Sequence, residues 1–259
     1  AAQVAAKQRP ELRQSAFALV EGEPPAEVVI TANKAARASG VEAGMTRLQA
    51  ETIPGVAVVR RVPEEEVSAL TVLHTIACMF SPRIEPVEYL PGTYALDIRG
   101  MNGLFGDEAQ LANTLRQRIT EAGFLANTAV SQNFDAAVCL ARGRHGISIV
   151  PPGCEAEALR DLPLHVLNPS EEHAETFRAW GVRTCGQLAA LAETDLISRI
   201  GQAGKRLHLL ARGAWPHLMF PMEPNFEESL IERMELDFPV EMLEPLLFLL
   251  ARMIDTLLE

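Results

Sequence analysis

Cysteine is scarce and dispersed: Cys78, Cys139, Cys154 and Cys185 form no CxxC pair and no Cys/His cluster. That points away from a disulfide framework and toward the free thiols of a cytoplasmic protein. The six histidines are equally scattered, so no zinc site is expected. No stretch approaches the ~18–20 uninterrupted apolar residues of a membrane span. No basic-then-apolar leader opens the chain, so nothing suggests secretion or a membrane.

Positive charge is also short, with 23 Lys and Arg against 34 Asp and Glu and a net charge of −11. A global excess of acid argues against nucleic acid, because phosphate contacts need cations. Its distribution matters more. Residues 216–259 carry ten acids and two bases, whereas residues 1–60 and 162–215 are each at +1. The acidity lies mostly outside the segments read below as touching phosphate.

What is present is 259 residues, 48% of them hydrophobic, enough for a buried core and for two or three domains. Residues 1–9 read as helix, and Ala16–Val20 and Glu27–Thr31 as strands. Asn33 caps a helix Lys34–Ser39 that ends at Gly40, and Thr46 caps another through Glu51. Val56–Arg60 is a strand. Pro63–Met79 is a long helix by the spacing of Val67, Leu70, Val72, Leu73, Ile76, Ala77 and Phe80, behind a solvated Glu64-Glu65-Glu66 start. Arg83–Tyr89 and Thr93–Ile98 read as strands joined at Pro91-Gly92.

Helices are expected at Asp107–Ala122, Phe134–Arg142 and from Pro151-Pro152 through Asp161, with strands at Ala126–Ser131 and Gly146–Val150. To about residue 161 the pattern is that of a sheet covered by helices on one face. Beyond it only short helices follow: Ser170–Trp180, Thr184–Leu191, Thr194–Ile200 and Lys205–Arg212. Pro216–Asn225 reads as a linker, Glu235–Phe238 as a strand and the stretch from Met242 as a helix whose Leu246–Leu250 face is buried. Trp180 and Trp215 read as core anchors. The opening helix without a strand before it, and the closing helix that simply stops, suggest a fragment missing sequence at both ends.

Three segments in order carry a family likeness. Val28-Val29-Ile30-Thr31-Ala32-Asn33-Lys34-Ala35-Ala36-Arg37, followed by Gly40-Val41 and Gly44-Met45, resembles the fingers of Y-family lesion-bypass DNA polymerases. Phe80-Ser81-Pro82-Arg83-Ile84-Glu85-Pro86 through Ala95-Leu96-Asp97-Ile98 is similar to their palm. Phe177–Gly213, with Trp180-Gly181-Val182-Arg183-Thr184 and Ile200-Gly201…Gly204-Lys205, is similar to their helical thumb. The resemblance covers most of residues 10–215. It implies an α+β right hand: a mixed palm and fingers sheet covered by helices, an all-helical helix-hairpin-helix thumb, and the start of a truncated little finger. The corresponding divisions are 1–60, 61–161, 162–215 and 216–259.

The chain departs from that family where its chemistry resides. Polymerisation needs two Mg²⁺ about 3.5–4 Å apart, held by carboxylate oxygens. The family's adjacent Asp-Glu pair falls on Gly92 and Thr93 counting back from Leu96-Asp97-Ile98, and on Leu90 and Pro91 counting forward from Glu85-Pro86. Neither register holds an acid; Glu88 and Asp97 are the nearest. The family's upstream acidic strand and its ribose-gating aromatic would precede Ala1. The triphosphate-contacting Tyr and Arg of the family fall on Lys34 and Arg37, a vestigial phosphate pair. In the thumb, Gly201-Gln202-Ala203-Gly204-Lys205-Arg206 fits a turn whose N–H groups and cations take a DNA phosphate without reading sequence. The first hairpin, Asn168-Pro169-Ser170-Glu171-Glu172, lacks the family's Gly-x-Gly and carries repelling glutamates.

This combination resembles the ImuB-like branch, which keeps the polymerase fold without the palm carboxylates. The resemblance implies no catalytic residue, no metal and no cofactor. It implies a cytoplasmic accessory role in SOS-type mutagenic translesion synthesis, weak sequence-independent binding of primer–template, and a sliding clamp, an error-prone replicative-type polymerase and a RecA-like protein as partners. The clamp and partner segments would lie beyond Glu259. Two alternatives stand beside it: an active, Mg²⁺-dependent translesion polymerase using a displaced acid such as Glu88, and a protein-interaction module that no longer touches DNA.

Overall fold

The computed structural model describes residues 1–221, 234 and 242–258. The chain divides into two compact units, Ala1–Pro221 and Met222–Glu259.

The first unit opens with helix α1 (Ala2–Gln8) and a 3-10 turn at Pro10–Arg13, then strands β1 (Ala16–Glu21) and β2 (Val28–Ala32). Short helices α2 (Lys34–Ala38) and α3 (Arg47–Glu51) lead to β3 (Val56–Arg60). The strands form one sheet in the order β2-β1-β3, with β1 antiparallel to β2 and parallel to β3. The parallel pair needs a crossover, and the two helices supply it. In β1, Ala18 and Val20 face Ala36, Val41 and Ala50 on the crossover side, whereas Phe17 and Leu19 face Ala5 and Leu12. The sheet is therefore covered on both faces, not on one as the sequence pattern suggested. The unbroken apolar run Ala16–Val20 is what a doubly buried central strand requires. Glu27, 4% exposed, is held by Arg47 of α3 at 3.1 Å.

Helix α4 (Pro63–Cys78) follows, with Pro63 in its first turn. It buries Ala69, Ile76 and Ala77, while Val67 and Val72 stay exposed, so the expected apolar face is narrower than its sequence spacing. Its acidic start is not simply solvated: Glu66 pairs with Arg61 at 2.8 Å and Glu65 with Arg9 at 3.8 Å. Next come β4 (Ile84–Pro86) and β5 (Tyr94–Leu96), paired antiparallel and shorter than expected. A helix the sequence did not signal, α5 (Asn102–Phe105), precedes α6 (Glu108–Glu121), which starts at an Asp107–Gln110 capping box. Strands β6 (Thr128–Val130) and β7 (Ile147–Ile149) pair in parallel around α7 (Phe134–Gly143). Among the described residues the strands thus make three small sheets.

The rest of the unit is helical: α8 (Glu155–Leu159), a 3-10 turn at Leu164–Leu167, α9 (Glu171–Ala179), α10 (Cys185–Ala189) and α11 (Glu193–Ala211). One core joins Ala136, Leu140 and Val150 to Phe177, Leu188, Leu196 and Leu210, so α7 and the helical region share a single apolar centre. Trp180 and Trp215 pack partly buried against it, as anchors do. All four cysteines are free, and burial pushes the Cys139 thiol up to about 12.

In the second unit the structure describes α12 (Leu243–Leu258). Leu246, Leu247, Phe248 and Leu250 are exposed there, against the expectation of a buried face. The expected strand Glu235–Phe238 lies outside the described residues. No described helix is long and apolar enough to cross a membrane.

Candidate functional site

Asn33 shows how local chemistry sets the first candidate group. Its Oδ1 accepts from the Ala36 amide at 2.9 Å, the N-cap bond, and also from the Phe17 amide at 3.2 Å. Its Nδ2 donates to the Ser15 carbonyl at 2.7 Å. One side chain therefore starts α2 and ties it to β1; the sequence disclosed only the cap. Lys34 and Arg37 follow, both exposed and three residues apart on one helix face. The pair is placed to meet an anion from solvent.

The β4–β5 hairpin is the second group. Beyond Pro86↔Tyr94 the chain makes two successive turns, closed by the Leu90 amide on the Val87 carbonyl (2.8 Å) and the Thr93 amide on the Leu90 carbonyl (3.0 Å). Pro91 and Gly92 occupy the middle of the second turn, and Gly92 has φ 82°, as a type II turn requires. Leu90, Pro91, Gly92 and Thr93 thus form a plain turn without a carboxylate.

The remaining acids of the hairpin are mostly committed elsewhere. Asp97, with its side chain 10% exposed, accepts from Arg99 Nη2 at 2.6 Å and Nε at 2.9 Å, and pairs with Arg83 at 3.1 Å. The hydrogen-bonded Arg99 guanidinium, with its backbone N–H and Arg83 adding to it, holds Asp97 down to about 2. Glu85 is engaged at both oxygens: His217 Nε2 lies 2.9 Å from Oε1 and 3.1 Å from Oε2, and the Phe220 amide donates to Oε2 at 2.7 Å. Glu88 is exposed. A Mg²⁺ pair needs several free, convergent carboxylate oxygens, and these residues do not fit it. Among the described residues no three His, Cys, Asp or Glu side chains converge to hold a metal ion.

The third group lies in α11. Gly201 breaks the helix with φ 66° and ψ −152°, a conformation essentially reserved for glycine. The expected helices before and after it are therefore two, and the second begins at Gln202 with its own N-terminus. Lys205 and Arg206 are exposed in its first turns, with Lys205 3.8 Å from Glu193. Gly204 is buried; a Cβ there would lie 2.7 Å from the Leu196 carbonyl oxygen. Close packing between the two halves accounts for this glycine, so of the predicted four it is the one not presented to solvent. Where the first hairpin was expected, Asn168 adopts the left-handed conformation (φ 52°), and Ser170 caps α9.

Sequence reasoning missed a fourth group. The segment Ala214–Pro221, which includes the first six residues of the expected linker, has no helix or strand but is tied down. Asn133 Nδ2 donates to the Trp215 carbonyl at 2.9 Å, and the His217 ring stacks on Phe134 with centroids 3.7 Å apart. Beside it Asp135 is 6% exposed, with one carboxylate oxygen unpartnered among the described residues. Burial raises its pKa, opposed by His217 and Arg206. Glu85 and His217 lie 132 residues apart, and no local pattern links them.

The chain matches the family model described as impB/mucB/samB over residues 1–142. It is 32% identical over 216 residues to DNA polymerase IV of Dehalococcoides mccartyi, covering 79% of this chain and 53% of that protein. It is 29% identical over 151 residues to Protein ImuB of Caulobacter vibrioides, covering 58% of this chain and 32% of that protein. Among solved structures, DinB from Sulfolobus solfataricus superposes with a TM-score of 0.69 at 20% identity, covering 84% of this chain and 65% of that one. An insertion ternary complex of Dbh DNA polymerase gives 0.68 at 20%, with 84% and 66% covered. The fold is that α+β fold. The chain spans about half the length of the DNA polymerase IV relative and about a third of the ImuB relative.

Proposed function

Since the chain belongs to the impB/mucB/samB family of the Y-family polymerase superfamily, we propose that it serves as a polymerase-shaped accessory protein in DNA repair and mutagenic translesion synthesis, holding DNA without joining nucleotides. The observation that carries this reading is the Leu90–Thr93 turn, which offers no carboxylate where the family places two, while Asp97 is engaged by Arg99 and Arg83, and Glu85 by His217 and the Phe220 amide. The Gly201 break, with Lys205 and Arg206 behind it, supports a sequence-independent grip on phosphate, and Lys34 and Arg37 support a second anion contact. In the division of labour we propose, residues 1–60 are fingers, 61–161 palm, 162–215 thumb and the remainder leads into a little finger. A sliding clamp, an error-prone polymerase and a RecA-like protein are the partners that fit an ImuB-like role in the cytoplasm.

Primer extension by the full-length protein tests the catalytic half of the proposal. No incorporation is expected at any Mg²⁺ or Mn²⁺ concentration, and robust template-directed synthesis overturns it. That outcome is the second reading, favoured by the 32% identity to a DNA polymerase IV. Fluorescence anisotropy tests the DNA half. With two cations at the turn, the logarithmic salt slope should be shallow, about −2. The double change Lys205→Ala, Arg206→Ala should weaken binding evenly across sequences and flatten the slope. Absence of binding even at low salt removes the DNA role.

A further inference from the structure

The segment Ala214–Pro221 leaves α11 and crosses the β4–β5 hairpin and the start of α7, fastened at three points. Trp215 is bound through its carbonyl by Asn133. His217 lies with its ring on Phe134 and its Nε2 on both oxygens of Glu85. Phe220 donates its amide to Glu85 Oε2. Leu218 and Phe220 are 78% and 72% exposed, so apolar burial contributes little to holding residues 218–221. Polar contacts at one carboxylate therefore dominate the far end of the strap.

We propose that His217 and Glu85 form a proton-operated clasp, which holds residues 216–221 against the hairpin when the imidazole is charged and loosens when it is neutral. A neutral imidazole can donate one hydrogen bond to Glu85; a protonated one adds a full charge at the same 2.9 Å contact. Closure is therefore stronger on the protonated imidazole, and by linkage it gains as the solution is acidified. The charged and titratable groups around it come from four places. Glu85 faces it from β4, Asp135 from α7, and Arg206 of α11 and Tyr89 of the hairpin loop lie around Asp135. Asp135, kept toward its neutral form by burial, adds attraction only once ionised, so Glu85 carries the effect. The inference stands whether or not the chain holds DNA.

Amide hydrogen exchange of the whole protein, read by mass spectrometry and corrected for the intrinsic pH dependence of exchange, tests this. The peptide containing Phe220 should gain about two- to five-fold protection between pH 7.5 and 5.5, the size of a partly exposed ion pair. Peptides of α6 should not change. Glu85→Gln should lower the protection and make it flat with pH. His217→Gln should also make it flat while keeping part of the Phe220–Glu85 bond; both replacements keep a polar side chain of similar size, so the fold should survive. Asp135→Asn should leave the pH dependence in place. Equal protection at both pH values in the unaltered protein overturns the clasp. So does a pH dependence that persists in His217→Gln or vanishes in Asp135→Asn.

Discussion

Changing Asp97 to Asn asks whether the surviving acid of the hairpin is an anchor for arginine or a free ligand. The carboxylate is 2.6 Å from Arg99 Nη2 and 3.1 Å from Arg83 Nη1, and its pKa falls from the ordinary 3.8 to about 2. At about 1.4 kcal/mol per tenfold, that fall corresponds to roughly 2.5 kcal/mol of stability. Arg99 and Arg83 are 81% and 51% exposed, so solvent screens the pair and about 1–2 kcal/mol is the realistic figure. Because the folded pKa is depressed, the contribution is fully present above about pH 4 and is lost as pH falls through 2. Urea unfolding of the two proteins should differ by about 1–2 kcal/mol at pH 7, and by about a third of that at pH 2.5. A gap that does not depend on pH, or no gap at neutral pH, refutes the reasoning. Millimolar Mg²⁺ should leave the difference unchanged; selective stabilisation of the unaltered protein by Mg²⁺ would mean that the carboxylate takes a cation from solution.

Further outcomes follow from the geometry. Gly204→Ala should destabilise by about 1–2 kcal/mol, since overpacking against the Leu196 carbonyl outweighs the gain in helix propensity. The matched control Gly103→Ala, where an added Cβ meets nothing within 4 Å, should be neutral or mildly stabilising in the same denaturation assay. Asn33→Ala should cost about 2–3 kcal/mol in chemical denaturation, because it removes a cap, a tie to Phe17 of β1 and a tie to Ser15 just before it. Asn33→Asp should recover part of that, since it keeps the acceptor and loses only the donor to Ser15.

Where a residue's role is set within one turn, the sequence disclosed it. The caps at Asn33 and Thr46 each start the helix their residue type announces. The Pro91-Gly92 turn lies where its dihedral needs place it. Strand lengths were less readable. Arg83–Tyr89 has the composition of a seven-residue strand, but the strand proper spans only Ile84–Pro86, because after the Val87 amide, which still donates to the Thr93 carbonyl at 2.9 Å, the chain bends through two tight turns. The covering of both faces of β1 was implicit in its apolar run but not separable from a buried helix by periodicity alone. Contacts across 132 residues, such as Glu85 with His217, leave no mark on local pattern at all. Hence candidate phosphate groups could be named from local pattern, whereas the strap over Glu85 could not.

The hairpin also explains why a restored acidic pair would not simply slot in. Gly92 has φ 82°, so an aspartate there would carry a left-handed backbone at a cost of about 1–2 kcal/mol. Around that turn, charge is balanced from within. A metal-holding hairpin leaves its carboxylates to be neutralised by ions from solution, and a partly buried acid without such an ion must find a cation in the chain or lose its charge. Asp97 has found Arg99 and Arg83, Glu85 has found His217 and a main-chain N–H, and Asp135, with no close partner among the described residues, is pushed toward neutrality. Each of these three acids is thus accounted for by the chain's own groups or by its burial. The exposed cations at Lys34, Arg37, Lys205 and Arg206 remain directed to solvent, where an anionic partner can reach them.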